Sequence, residues 1–135
     1  MIAIADLRSV AEARLRDAQV LLQEGRYDGA AYLAGYAVEI AIKARICQTL
    51  GWTGFPESRR EFEGYASFKT HDLAVLLHLS GQESAILERY KEEWDRIVAW
   101  TPEERYSSVG SVEELTAHER VVVTRILIER LLDQL

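Results

Sequence analysis

The segment from Asp28 to Leu50 constrains the fold more than any other part of the sequence. It is rich in small and apolar residues, which leave no wide polar face on a helix. A helix that is apolar almost all round is buried at the centre of a structure rather than lying on its surface. The segment therefore predicts a thin central helix that other helices, or a partner subunit, must cover. Its small residues are Gly29, Ala30, Ala31, Ala34, Gly35, Ala37, Ala41 and Ala44.

The segments on either side of this helix are also clear from their patterns. Apolar residues at helical spacing predict a first helix over Leu7–Leu22, which ends at Gly25. Residues 51–70 have no sustained period and contain three glycines and a proline. They predict a long loop, and loops of this length in compact domains tend to be functional or mobile.

The second half of the chain also has a helical period. Thr70 is a candidate N-cap for a short helix that ends at Gly81, and residues 83–100 predict one longer helix with its apolar residues on one side. The segment Ser111–Glu114 matches a capping box and predicts a last helix that runs to Leu135. The sequence thus predicts a single all-α domain over residues 1–135, an up-and-down bundle of four to five helices.

Composition narrows the classes of function. The net charge of −6 does not favour diffuse binding to nucleic acid, which usually needs a basic face. Apolar runs are too short to span a membrane, and the charged start does not resemble a signal peptide, so we expect a cytoplasmic protein. The single cysteine, Cys47, lies in an apolar run and fits a core position. The histidines have no metal-ligand spacing, so we expect neither a metal nor a cofactor.

The polar residues that stand out fall in three distant segments. Glu39 and Lys43 lie one turn apart on the central helix, where a buried pair is costly unless further hydrogen bonds satisfy it. We therefore expect Glu39 to accept hydrogen bonds from loop or partner groups, and His71 is a candidate donor. The pair either organises the fold or contacts a ligand. The other two segments are Phe68–Leu73 ("FKTHDL") and Thr101–Gly110 ("TPEERYSSVG").

Taken in order, these motifs resemble the HEPN family of small helical-bundle domains. The second helix of that family typically reads A-x-E-x-x-x-K-A, matched here by Ala37, Glu39, Lys43 and Ala44. The helix after the variable loop typically opens with H-D/N-L, matched by residues 71–73. The resemblance extends roughly over residues 15–119. It implies a bundle of four to five helices that usually forms a symmetric dimer.

The resemblance also implies a class of function. The cleft of the family is associated with nucleotide or RNA contacts, many members are toxins that cut RNA without a metal, and many are encoded beside a minimal nucleotidyltransferase partner. The catalytic members carry an Arg-x4-6-His motif. Arg105 lies where its arginine is expected, but the three spacings reach Gly110, Ser111 and Val112 instead of a histidine. The nearest downstream histidine is His118.

Three functions remain open from the sequence. The first is a homodimeric binding module that engages a nucleotide, RNA or a nucleotidyltransferase partner in a toxin–antitoxin or defence context. The second is a metal-independent ribonuclease toxin that uses Arg105 with His71 or His118 as its catalytic residues. The third is a dimerisation scaffold whose charged cleft is structural. The predicted ligand-binding residues are Glu39, Lys43, Lys69, His71, Asp72, Arg105 and Tyr106.

Overall fold

The structure is a computed structural model that describes residues 1–133 and residue 135. Six α-helices in this part of the chain pack as a bundle, which confirms the all-α fold predicted from the sequence. A two-residue antiparallel pairing joins the N-terminus to the long loop. In chain order the elements are β1 (Ile2–Ala3), α1 (Ile4–Gln23), α2 (Tyr27–Leu50), β2 (Gly54–Phe55), a 3₁₀ helix (Ala66–Phe68), α3 (Leu73–Leu79), α4 (Glu83–Arg89), α5 (Lys91–Asp95), a second 3₁₀ helix (Pro102–Tyr106) and α6 (Glu114–Leu131).

Helix α2 is the centre of the bundle, as its composition predicts. It packs chiefly against α1 and α6 and also contacts α3 and β2. Most residues from Ala30 to Cys47 are buried by the rest of this one chain, whereas Tyr32, Leu33 and Tyr36 are half-buried. The apolar composition of α2 therefore does not by itself require a partner subunit, because the chain itself covers most of that surface. The homodimer stays a prediction.

The closest approach to α2 is made by Trp100. Its indole ring lies directly on Gly35, where an added Cβ would come within 2.2 Å of two ring atoms. Trp100 is only 1% exposed, and its Nε1 is buried without a hydrogen-bond partner in the described residues. Packing alone therefore holds this ring, and only glycine at position 35 leaves room for it.

The single helix predicted over residues 83–100 is wrong. The helical segment breaks at Tyr90, where the backbone has φ −129° and ψ 31°, and after α5 it continues as tight turns. The buried residues Trp94, Ile97 and Trp100 explain this, since they follow each other every three residues. On a regular α-helix the two tryptophans would point about 120° apart. Hydrogen bonds from Ile97 N to Trp94 O and from Trp100 N to Ile97 O give the tighter turns that bury both rings.

Two predicted helix caps are also corrected. The N-cap of α3 is Asp72, whose Oδ1 accepts from Val75 N at 3.2 Å, while the Thr70 hydroxyl accepts from Asp72 N one step earlier. The capping box at Ser111 does not form, and α6 begins at Glu114.

The reason lies at the first turn of α2. The carboxylate of Asp28 accepts from Gly110 N at 2.6 Å and from Val112 N at 3.0 Å, and these two bonds hold the segment around Ser111 as a loop. They also lower the pKa of Asp28 below its ordinary value.

The loop between α2 and α3 has a small aromatic core of its own. The ring centroids of Trp52 and Phe68 lie 5.0 Å apart, and those of Trp52 and Tyr65 lie 5.1 Å apart. β1 and β2 pair Ile2 with Phe55, which joins this core to the N-terminus. At the other end of the bundle, Arg45 of α2 donates to the carbonyl oxygens of Leu131 and Asp133 and so closes the end of α6.

Candidate functional site

A buried carboxylate brings two of the three polar segments together. Glu39 of α2 is 1% exposed, and its Oε2 accepts from Lys43 Nζ at 3.2 Å. Its Oε1 lies 2.8 Å from Nδ1 of His71, which immediately precedes the N-cap of α3. The contact between Glu39 and His71 that we expected from the sequence is therefore present. We call Glu39, Lys43 and His71 the Glu39 cluster.

Lys43 makes the burial of Glu39 tolerable. A buried carboxylate costs several kcal/mol unless a charged partner and hydrogen bonds compensate it. Lys43 supplies the opposite charge, and its own side chain is mostly buried at 16% exposure. Its Nζ also lies 5.2 Å from the ring centroid of Phe55, a cation–π contact that ties the cluster to the loop after α2.

His71 is the exposed member of the cluster. A carboxylate has no proton to donate, so the hydrogen in the contact with Glu39 belongs to Nδ1 of His71. In the neutral imidazole this leaves Nε2 as an acceptor. The side chain is 62% exposed, so this nitrogen is accessible to a ligand. The arrangement orients an imidazole much as a carboxylate does in catalytic dyads.

A cavity of about 410 Å³ lies beside His71. It separates the start of α3 from the chain that leads into the second 3₁₀ helix. Its polar lining is acidic, with Asp72 on one side and Glu103 on the other, and neither a lysine nor an arginine lines it. Such a lining favours ligand groups that donate hydrogen bonds. The lining residues are His71, Asp72, Leu73, Val98, Ala99, Trp100, Thr101, Pro102 and Glu103.

The third polar segment forms the second 3₁₀ helix. Pro102 anchors it in the core, and an ion pair of 2.6 Å between Glu104 and Arg120 ties it to α6. The guanidinium carbon of Arg105 lies 4.8 Å from the ring centroid of Tyr106, which is 77% exposed. Interactions with the hydroxyl groups of Tyr106 and Tyr32 raise the pKa of Arg105.

Three aromatic rings connect Arg105 to the Glu39 cluster. The ring centroids of Tyr32 and Tyr36 lie 6.1 Å apart, and they lie 5.9 Å and 6.1 Å from that of Trp100. Burial, and next the charge of Glu39, raise the pKa of Tyr36, whereas Arg105 lowers it. The second 3₁₀ helix contacts α2, and residues 101–103 line the same cavity as His71, so the three polar segments meet on one side of the bundle.

The two tyrosines are the residues that our interpretation of the sequence missed. A signal was available, because Tyr32, Tyr36, Glu39 and Lys43 recur at intervals of four, three and four residues. At 3.6 residues per turn they fall within roughly 60° of arc on one face of α2. They are the residues with polar tips along this face, and we call them the polar stripe of α2.

Two predicted site residues lie apart from this region. His118 is an exposed residue of α6 in a groove that it shares with Leu22 of α1 and with residues 113–115, and it does not line the cavity beside His71. Lys69 is exposed and follows the first 3₁₀ helix, two residues before His71. No group of three metal-ligating side chains occurs in the described residues. Within the same part of the chain, no helix is long and apolar enough to cross a membrane.

The fold and the site define a helical-bundle domain with a carboxylate buried on its central helix. Residues 4–57, which comprise α1, α2 and β2, match the family model of the HEPN domain. The resemblance to the HEPN family seen in the sequence is therefore confirmed over this part of the chain. Glu39 and Lys43 lie inside the matched range, while His71 and Arg105 lie outside it. No curated protein and no solved structure matches the chain.

Proposed function

We propose that this protein is a HEPN-type binding module that engages a nucleotide or RNA. The proposed cleft runs from the Glu39 cluster and Asp72 to Arg105 and Tyr106, and Lys69, two residues before His71, stays a predicted contact of the ligand. A homodimer, a nucleotidyltransferase partner and a toxin–antitoxin or defence context are what HEPN membership suggests for such a module. They are part of the proposal and rest on the family alone.

The observation that carries the proposal is the pair of Arg105 and Tyr106. Their cation–π contact places a guanidinium over one face of the aromatic ring of Tyr106, a residue that is 77% exposed. Nucleobases stack on such faces, with about 1–3 kcal/mol per base, and arginine binds phosphate through its planar fork. Nearby, His71 offers a nitrogen whose partner atom is already bonded to Glu39.

The overall charge sets the expected character of the binding. With a net charge of −6, the chain has no long-range attraction for a polyanion, so recognition must rest on a few local contacts. We therefore expect a weak dependence on salt. For single strands the logarithmic slope is about −0.7 per neutralised phosphate, which predicts a slope of about −1 for one or two phosphates.

Fluorescence anisotropy with a labelled single-stranded RNA, at several salt concentrations, tests the proposal. Arg105→Ala and Tyr106→Ala should each weaken binding, whereas Tyr106→Phe keeps the stacking face and should bind nearly as wild type does. Arg89→Ala, at an exposed arginine of α4, is the matched control. A wild-type protein that binds neither RNA nor any nucleotide would refute the module and leave the dimerisation scaffold.

The accessible Nε2 of His71 favours metal-independent RNA cleavage as the second candidate. In that reaction Nε2 takes the proton of a ribose 2′-hydroxyl and the 2′-oxygen attacks the adjacent phosphorus. The 5′-oxygen leaves and takes up a proton from the imidazolium, directly or through water. The products are a 2′,3′-cyclic phosphate and a 5′-hydroxyl, and Arg105 stabilises the developing negative charge. Incubation of RNA with chelator tests it. Cleavage that His71→Ala and Arg105→Ala abolish and that His118→Ala retains supports the enzyme, and intact RNA with wild type excludes it.

A further inference from the structure

The cavity beside His71 combines an apolar floor with a polar rim. Leu73, Trp100 and Pro102 line it and are buried, so they form a floor on which a flat ring can pack. The volume of about 410 Å³ lies within the range of about 300–1,000 Å³ in which proteins bind small molecules. The cavity therefore has the size and the apolar surface that a heteroaromatic ring needs.

The ionisable groups of the rim accept hydrogen bonds rather than donate them. Asp72 and Glu103 carry carboxylates, which have no proton to donate. The neutral imidazole of His71 presents Nε2 as an acceptor, because its Nδ1 donates to Glu39 at 2.8 Å. Among the described residues, neither a lysine nor an arginine lines the cavity. A ligand ring in this cavity is therefore favoured when its edge carries N–H groups, and a phosphate is repelled.

The two carboxylates differ in the acceptor capacity that remains for a ligand. Oδ1 of Asp72 already accepts from Val75 N at 3.2 Å, as the N-cap of α3. Glu103 lies in the first turn of the second 3₁₀ helix and is exposed. Its carboxylate has neither a hydrogen bond nor an ion pair within the part of the chain that the structure describes. Both of its oxygens can therefore accept parallel hydrogen bonds from one edge of a ligand.

We propose that this cavity is a nucleobase pocket that selects guanine, and that Glu103 recognises the base. The inference rests on the proposed function and names the base that the module prefers. The Watson–Crick edge of guanine presents two adjacent donors, N1–H and the N2 amino group, and one carboxylate accepts from both. The ring packs on the apolar floor, while the phosphate stays outside the acidic rim.

The other bases of RNA fit this rim less well. Adenine and cytosine place an acceptor ring nitrogen beside their amino group, and uracil places a carbonyl oxygen on each side of its single N–H. Each of them turns an acceptor towards the carboxylate of Glu103, where it finds no donor. A site that is built to bond N–H groups rejects ligands that lack them more strongly than an apolar pocket rejects a change of size.

Isothermal titration of guanosine, inosine and adenosine monophosphates into the whole chain tests the pocket. Inosine monophosphate differs from guanosine monophosphate only in lacking the N2 amino group. We expect it to bind roughly tenfold more weakly, because one hydrogen bond to a charged acceptor is lost, and adenosine monophosphate to bind at least as weakly. Glu103→Gln replaces a carboxylate oxygen by a donor and should bring the affinities for the guanosine and inosine nucleotides close together. Glu88→Gln, at an exposed glutamate of α4, should keep the wild-type preference.

The outcomes separate this inference from the function on which it rests. Wild-type protein that binds neither RNA nor any of the three nucleotides refutes both. Wild-type protein that binds RNA or nucleotides without a preference for guanosine monophosphate refutes the pocket and leaves the module intact. A Glu103→Gln variant that keeps the wild-type preference, or that weakens all three nucleotides equally, refutes recognition by Glu103. Thermal unfolding shows whether the variant is folded, and Glu103→Ala supplies a second test where Glu103→Gln is not.

Discussion

The contact between Gly35 and Trp100 gives the sharpest test of how this bundle is packed. In Gly35→Ala the new Cβ would lie 2.2 Å from two atoms of the indole and 2.4 Å from a third, whereas ordinary contact begins at 3.4 Å. Overpacking of a core costs about 1–3 kcal/mol, and this overlap involves a rigid ring, so we take about 3 kcal/mol. Alanine regains about 1 kcal/mol of helix propensity over glycine. The net loss in the free energy of unfolding is therefore about 2 kcal/mol.

Gly29→Ala is the matched control on the same helix. Its Cβ would lie 3.1 Å from the end of the Leu21 side chain, which is flexible and can move aside. We expect no loss of stability and a gain of up to about 1 kcal/mol. Urea unfolding followed by circular dichroism measures both variants. If Gly35→Ala proves as stable as Gly29→Ala, the indole of Trp100 does not lie on α2 as described. The packing of Tyr32 and Tyr36 against that indole would then be refuted as well.

Three further predictions follow from other contacts. Glu39→Ala leaves the ammonium of Lys43 buried without its partner and should cost about 3 kcal/mol in urea unfolding, against a smaller loss for Glu39→Gln, which keeps an acceptor. The pKa of Asp28 is lower in the folded protein than in the unfolded chain, so its carboxylate stabilises the fold above the unfolded pKa. Asp28→Asn should therefore be less stable than wild type above roughly pH 5, and the difference should vanish as the pH falls through the folded pKa. A constant difference down to pH 2 would contradict the bonds to Gly110. Burial raises the pKa of the Cys47 thiol to about 11, so a thiol reagent at pH 8 should modify it only after unfolding in urea, and fast modification of folded protein would show that it is accessible.

The sequence was sufficient for the features that depend on one segment at a time. The small and apolar residues between Asp28 and Leu50 determine that α2 is central, because a helix without a broad polar face cannot lie at the solvent-exposed surface. The pairing of Glu39 with His71 was also predictable, since a carboxylate in such a helix needs donors and the "THDL" segment offers one.

The features that the sequence did not reveal depend on residues far apart in the chain. Ser111 has the local pattern of a capping box, but the competing bonds come from Asp28 on a different helix. The break at Tyr90 is marked by neither glycine nor proline, and only the need to bury Trp94 and Trp100 on the same core explains it. The spacing of the polar stripe can be seen in the sequence, but the role of its two tyrosines becomes clear only from the position of Trp100, on which they pack.

The dependence of α2 on α6 has a consequence during synthesis. The ribosome completes α2 while residues 114–131, which pack along it, have still to be translated, and α1 covers only part of its surface meanwhile. Until α6 is synthesised and Arg45 binds its C-terminal end, the nascent chain exposes the apolar side of α2 that α6 later covers. Such exposed apolar surface promotes binding of chaperones or self-association. A stop codon before residue 114 should therefore yield an insoluble product rather than a smaller folded domain.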